Sequence, residues 1–186
     1  MEKRKYEKLV YTFQPEYNEV VPDNADAKFV HSPQAYFRGA CQIPGSKFNM
    51  GFQIFEKPFF LDRVPHKHDC DEYLIFLGAT MGKFFEFDAD IEFTIGKGDE
   101  AETYKVTKPT IIRIPAGVWH CPLNFIRVDK PILFQAGLMQ EMFGGIYDTP
   151  QGDKEMWYNG PKFCKFNPGK KCDSCRACIQ EDWHND

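Results

Sequence analysis

The chain has 186 residues, 42% hydrophobic and 27% charged, with a formal net charge of −4 and a pI near 5.8. That length suits one domain with extensions and a real core rather than two full domains. The acidic balance excludes a basic footprint for nucleic acid or an anionic membrane, which needs clustered Lys and Arg.

The one local basic cluster, MEKRK, stands at the start and no apolar h-region follows it. No apolar run approaches the roughly 18–20 residues of a spanning helix, so a cytoplasmic protein with no membrane partner is expected. Seven cysteines without an export signal point to reduced thiols or metal ligands rather than a disulfide framework. Eighteen phenylalanines predict an aromatic core.

From about residue 7 to residue 139 the chain is a succession of short apolar or alternating stretches punctuated by Gly, Pro and Asp. KLVYTF, AYFRGACQI, MGFQIF, EYLIFLG, KFFEF, IEFTIG, ETYKV, TIIRI and PILFQAG read as strands, and no stretch carries helical periodicity over a helical length. Many short strands at short spacing predict an all-β sandwich or barrel. IEFTIGKGDEAETYKV reads as an antiparallel hairpin, because Ile91, Phe93 and Ile95 alternate and Gly96 and Gly98 can supply positive φ angles. The expected organisation is an N-terminal arm of strands over residues 1–44, a barrel core over 45–140 and a C-terminal arm over 141–186.

Within the barrel, PHKHDCDEYLIFLG places His66 and His68 one residue apart. Side chains at i and i+2 of a strand share a face, so the two imidazoles converge, and Glu72 keeps the same parity. Two imidazoles and a carboxylate are a metal-binding donor set. Further along, IPAGVWHCPLN follows a Pro-Ala-Gly turn with a strand that can present His120 to the same point.

These two stretches resemble the motifs of the cupin superfamily. The first matches as His66-Lys67-His68, Glu72 and Gly78, and the second as Pro115, Gly117, His120 and Asn124, with roughly 40 residues between motifs. The resemblance covers about residues 45 to 140. It implies a jelly-roll β-barrel that holds one divalent transition metal (Fe, Mn, Ni, Co or Zn) through His66, His68, Glu72 and His120. It also implies a homodimer formed by extending sheets across a two-fold axis, with the segment before residue 45 as a plausible donor of strands.

Such a site suits Lewis-acid isomerase or lyase chemistry, or dioxygenation, on a small organic acid or carbonyl compound. The alternative is a non-catalytic small-molecule binding or sensor protein. Glu72, Arg113 and Gln135 are the candidate catalytic groups, with Tyr73 and Asp71 as further polar candidates. Phe76, Phe85, Phe87, Phe93 and Trp119 are candidates for the pocket wall, though most of them read first as barrel core. Cys121 follows His120 directly, so on a regular strand it faces away from the metal and reads as buried packing.

After about residue 140 the chain becomes rich in Gly, Pro and polar residues, and it then carries Cys164, Cys172, Cys175 and Cys178 as C-x7-C-x2-C-x2-C. Four thiols are the number that a tetrahedral Zn²⁺ or an Fe–S cluster requires, so this tail is a possible second metal site. Cysteines at i, i+3 and i+6 can equally line one face of a short helix as packing or free thiols.

Overall fold

Hydrophobic alternation sorts the chain into strands with one face inward, and the computed structural model shows twelve of them among the residues it describes, 5–16 and 30–157. They are β1 (Val30–Phe37), β2 (Asn49–Phe55), β3 (Phe59–Asp62), β4 (His66–Lys67), β5 (Glu72–Gly78) and β6 (Ala89–Ile95), then β7 (Glu102–Val106), β8 (Thr110–Ile114), β9 (His120–Val128), β10 (Ile132–Leu138), β11 (Gly144–Thr149) and β12 (Gly152–Trp157). Their pairings are all antiparallel and form two sheets. One runs β1-β2-β10-β5-β8; the other runs β12-β11-β4-β9-β6-β7, with β3 also on β9. This is the jelly-roll β-barrel that the sequence motifs imply. No helix among the described residues is long and apolar enough to cross a membrane.

The inward faces meet in an aromatic core. Phe55, Phe59, Phe76, Phe93, Phe125 and Phe134 are buried together with Leu74, Ile91, Ile114, Leu123 and Ile132. Phe125 stacks on Phe55 at 4.0 Å between ring centroids, and Phe134 meets Phe76 at 5.1 Å. Ring pairs of this kind contribute beyond the apolar area they bury. The pattern behind it is the period-two alternation of β2 and β5, whose residues are buried at every second position.

The expected hairpin is present. β6 and β7 pair from Ile91↔Val106 to Ile95↔Glu102, and Gly96 and Gly98 adopt φ of 94° and 61°. At Gly96 a Cβ would stand 2.3 Å from the Glu100 carbonyl, so both conformation and space select glycine there.

Three stretches differ from the sequence expectation. KLVYTF forms a short 3-10 turn, Glu7–Leu9, followed by irregular chain, and Phe13 packs edge-on against Phe52 on the outer face of β2. KFFEF is a turn that leaves Phe85 86% exposed, so Phe85 is not part of any pocket wall. The motif glycine Gly78 explains that turn: its N–H donates to the Phe84 carbonyl, and a Cβ there would stand 2.3 Å from the Glu86 carbonyl. Residues 144–157, read as the start of an arm, instead form β11 and β12, and β11 pairs with β4 through Tyr147↔His66. Cys164, Cys172, Cys175 and Cys178 lie outside the described residues.

Candidate metal centre

Three strands deliver the candidate donors. β4 carries His66 and the chain just beyond it His68, β5 begins with Glu72, and β9 begins with His120, which pairs directly with His66. All four are buried, with exposures of 5%, 6%, 5% and 1% respectively. Buried titratable groups of this kind are costly unless something compensates them.

The two sequence motifs lock to each other through the backbone. The Gly117 N–H of the Pro-Ala-Gly turn donates to the His68 carbonyl at 2.7 Å, and Gly117 holds a φ of 80°. Asp71 accepts from the Ala116 N–H at 3.3 Å and from Arg113 Nε at 2.7 Å. The Arg113 hydrogen bond holds the Asp71 carboxyl below its ordinary range. A clamp of this kind fixes the loop that aims His120 relative to the strand that aims Glu72.

Each imidazole is oriented by a backbone carbonyl. His66 Nδ1 lies 3.1 Å from the Val64 oxygen, His68 Nδ1 lies 2.8 Å from the Gly144 oxygen, and His120 Nδ1 lies 3.1 Å from the Val118 oxygen. A carbonyl only accepts, so each Nδ1 carries the proton and donates, and the neutral ring keeps its lone pair on Nε2. Hydrogen bonds of this type to the far nitrogen orient and strengthen metal-ligating histidines.

The consequence is a cluster of lone pairs with nothing to receive them. Glu72 Oε2 lies 2.9 Å from His120 Nε2 and 3.4 Å from His68 Nε2, and these three buried atoms have no hydrogen-bond partner. With both Nδ1 atoms protonated, the contacts set acceptor against acceptor, and they become attractive only when a proton or a cation lies between. The donor atoms of His68, Glu72 and His120 all lie within 4.8 Å of one another. This set fits a divalent ion.

Without an ion, protons on the imidazoles take the place of the cation beside Glu72. Burial alone would raise the Glu72 carboxyl, but His68 and His120 more than offset it and hold the group well below its ordinary range. Burial opposes charging of His120, yet the Glu72 carboxylate raises it. His66 is pushed down to about 3 by burial and by the neighbouring His120 and His68, so it is neutral at physiological pH and its lone pair is available.

His66 stands slightly apart from the triad. Its ring stacks on Tyr147 at 4.7 Å, it contacts the His120 ring at 4.3 Å, and its donor nitrogen groups with His120 and Cys121. The other polar candidates fall outside the site. Arg113 is on the outer face of β8, 56% exposed at its side chain and paired with Asp71. Gln135 follows the inward Phe134 on β10 and so faces outward, opposite Phe52 and Ile75. Tyr73 shares the Arg113 face through direct register. Of the aromatic candidates, Phe76 and Phe93 are core, Phe87 packs against it, and Trp119 lies between the Lys67 and Lys97 ammonium groups at 4.6 and 4.3 Å.

Two further residues bear on the site, Asp62, which the sequence reading did not single out, and Cys121, which it assigned to packing. Asp62, at the end of β3 opposite Leu123, interacts electrostatically with Glu72, His120 and His68. Burial raises its carboxyl to about 6, with Glu72 adding to the shift and the histidines opposing it. Cys121 is buried in the core cluster, as its reading as packing expects, but its sulfur also lies within 4.8 Å of the ligating nitrogens of His66 and His120. Neither sits at a motif position, and no spacing rule flags a carboxylate several residues before the first histidine.

No family profile matches the chain, and no curated protein is significantly similar to it. Similar solved structures include vicilin from Corylus avellana (hazelnut), at 14% identity and TM-score 0.42 over 68% of this chain and 32% of that one. They also include an oxalate oxidase in complex with the substrate analogue glycolate, at 11% identity and TM-score 0.42 over 58% and 51%. A third is a Bacillus subtilis oxalate decarboxylase with Mn(II) centres, at 14% identity and TM-score 0.41 over 59% and 26%. The chain spans about half or less of the length of these three proteins. The fold described above rests on strand order and register, not on these likenesses.

Proposed function

We propose that this chain, with its cupin-type jelly roll, is a metal-dependent protein that binds one divalent transition ion through His66, His68, Glu72 and His120 and acts on a small organic acid or carbonyl compound. The observation that carries the reading is the meeting of His68 Nε2, His120 Nε2 and Glu72 Oε2 in a buried space with no hydrogen-bond donor among them. Three neutral imidazoles and one carboxylate around a divalent ion leave a net charge of about +1, which favours an anionic ligand.

The bound ion would supply Lewis acidity toward a carbonyl or carboxylate oxygen. Asp62 supports proton-transfer chemistry beside it. It is a carboxylate within electrostatic reach of Glu72, His120 and His68, which makes it the candidate to take a proton and return it. Isomerase or lyase chemistry stands ahead of dioxygenation in this reading because seven thiols tolerate O₂ chemistry poorly. By the same reading the protein is a cytoplasmic homodimer, and light scattering tests the dimer.

The test is total metal by plasma mass spectrometry on anaerobically purified full-length wild type and a His68→Ala/His120→Ala variant. One divalent ion per chain, lost in the variant, is the expected result. Metal retained in the variant would locate it elsewhere, with the four tail cysteines as first suspects. Wild type that stays metal-free after reconstitution overturns the reading. For the reaction class, loaded wild type is expected to catalyse solvent deuterium exchange α to the carbonyl of small oxo acids without consuming O₂.

A further inference from the structure

On a regular strand, two consecutive residues point to opposite faces, so one of His120 and Cys121 should be outside the barrel. Both are inside, exposed by 1% and 3%. The register shows how. Between Leu123↔Phe93 and His120↔Ile95 three steps along β9 oppose two along β6, so β9 carries an extra residue at this point. Such a bulge re-aims a side chain, and bulges concentrate beside functional sites. Cys121 itself has a φ of 75°, a conformation uncommon for a residue with a Cβ and costly enough to need support from its surroundings.

The re-aimed thiol meets nitrogen donors. The Cys121 Sγ and the ligating nitrogens of His66 and His120 all lie within 4.8 Å of one another, forming a second buried group that shares His120 with the His68–Glu72–His120 group. His66, which stands outside the first triad, belongs to this one. Zinc–sulfur and zinc–nitrogen bonds of about 2.3 and 2.0–2.1 Å place donors around one ion roughly 3–4 Å apart, so side-chain shifts on the order of 1 Å would close the group.

Resting on the metal-binding reading above, we propose that Cys121 is a thiolate donor to the ion at this site, so that the centre has an N/O/S donor set. The step balances simply: the divalent ion displaces the thiol proton, a metal–sulfur bond forms, and one proton goes to solvent. Two anionic donors, Glu72 and Cys121, then neutralise the ion, and the softer set selects zinc, iron, cobalt or nickel over manganese and magnesium. A bound substrate would meet a more electron-rich centre than three imidazoles and one carboxylate provide.

The experiment uses the full chain with Cys164, Cys172, Cys175 and Cys178 each changed to serine, so that tail sulfurs cannot contribute. This protein and its Cys121→Ser derivative are loaded with Co(II), and cobalt content and near-ultraviolet absorption are recorded. One cobalt per chain with a sulfur-to-cobalt charge-transfer band, lost in Cys121→Ser while cobalt remains bound, is the expected result. Bound cobalt without the band, or a band that survives Cys121→Ser, overturns the thiolate and leaves the histidine–glutamate site standing. A protein that binds no cobalt overturns both readings. Should Cys121→Ser not fold, X-ray absorption on the parent protein decides: one sulfur at about 2.3 Å is expected, and a shell of nitrogen and oxygen alone overturns the proposal.

Discussion

The two ends of the barrel interior are built from the same strands to opposite purposes. Along β5 the inward positions run Glu72, Leu74, Phe76, and along β9 they run from His120 and Cys121 through Leu123 to Phe125 and Val128. A few residues of travel lead from lone pairs without donors to stacked phenylalanines. The aromatic end gains free energy from burial and ring packing. The histidine end spends it, since buried acceptors and a carboxylate are stabilising only once a cation joins them.

The sharpest way to break this division is at the aromatic end. Phe125 touches three other buried rings, Phe55 at 4.0 Å, Phe134 at 6.0 Å and Phe76 at 6.3 Å between centroids. Phe125→Ala is expected to lower unfolding free energy by about 3–5 kcal/mol, measured by urea denaturation, while the folded fraction keeps its metal stoichiometry. If the variant loses metal as completely as His68→Ala/His120→Ala, the two ends are one cooperative unit and the division fails.

Gly145 sharpens the comparison from the other side. A Cβ there would stand 2.5 Å from the Lys67 carbonyl and 2.6 Å from His68 Nδ1. The backbone cannot yield, so the His68 ring must, and its hydrogen bond to the Gly144 carbonyl goes with it. Gly145→Ala is expected to cost about 1–3 kcal/mol of stability. Metal affinity, measured by competition with a chelator, should fall about 10–100-fold, as when an orienting partner of a ligating histidine is lost.

Much of this was legible in the sequence, and the parts that were not share a cause. Period-two alternation and glycine punctuation give β5, β6, β7 and β10 directly, because each signal lies within a few residues. Each motif is short enough to name its own ligands, and the pairing of β4 with β9 brings His120 to His66, His68 and Glu72. Cys121 defied its parity because a bulge is a property of two paired strands, β9 and β6, and leaves no mark in one of them. Arg113 looked like a pocket cation, but its direction was fixed by Asp71, 42 positions away. β11 lacked the apolar alternation of a strand because it opens on two glycines, of which Gly145 serves close approach to His68 and Gly144 offers its carbonyl to the ring. KFFEF had strand composition and no partner strand to use it.

Asp62 is the smallest and most specific probe, because it lies where the two ends meet. Its carboxyl has an ordinary value of 3.8 and is raised to about 6 in the fold, first by burial and then by Glu72. The folded chain therefore binds more protons than the unfolded chain between about pH 4 and pH 6. Stability must fall as pH rises through that window and stay reduced above it. Asp62→Asn removes the titration, so at pH 7.5 the metal-free variant should exceed metal-free wild type by ~1–2 kcal/mol in urea denaturation, less than the full shift because the residue keeps some solvent exposure. Near pH 4 the two should coincide. A variant that gains stability equally at both pH values would show that the carboxylate is not what destabilises this corner. A gain confined to high pH, together with slowed deuterium exchange in the loaded protein, would show that the cost of an unpaired carboxylate is retained at the histidine end because the chemistry uses it.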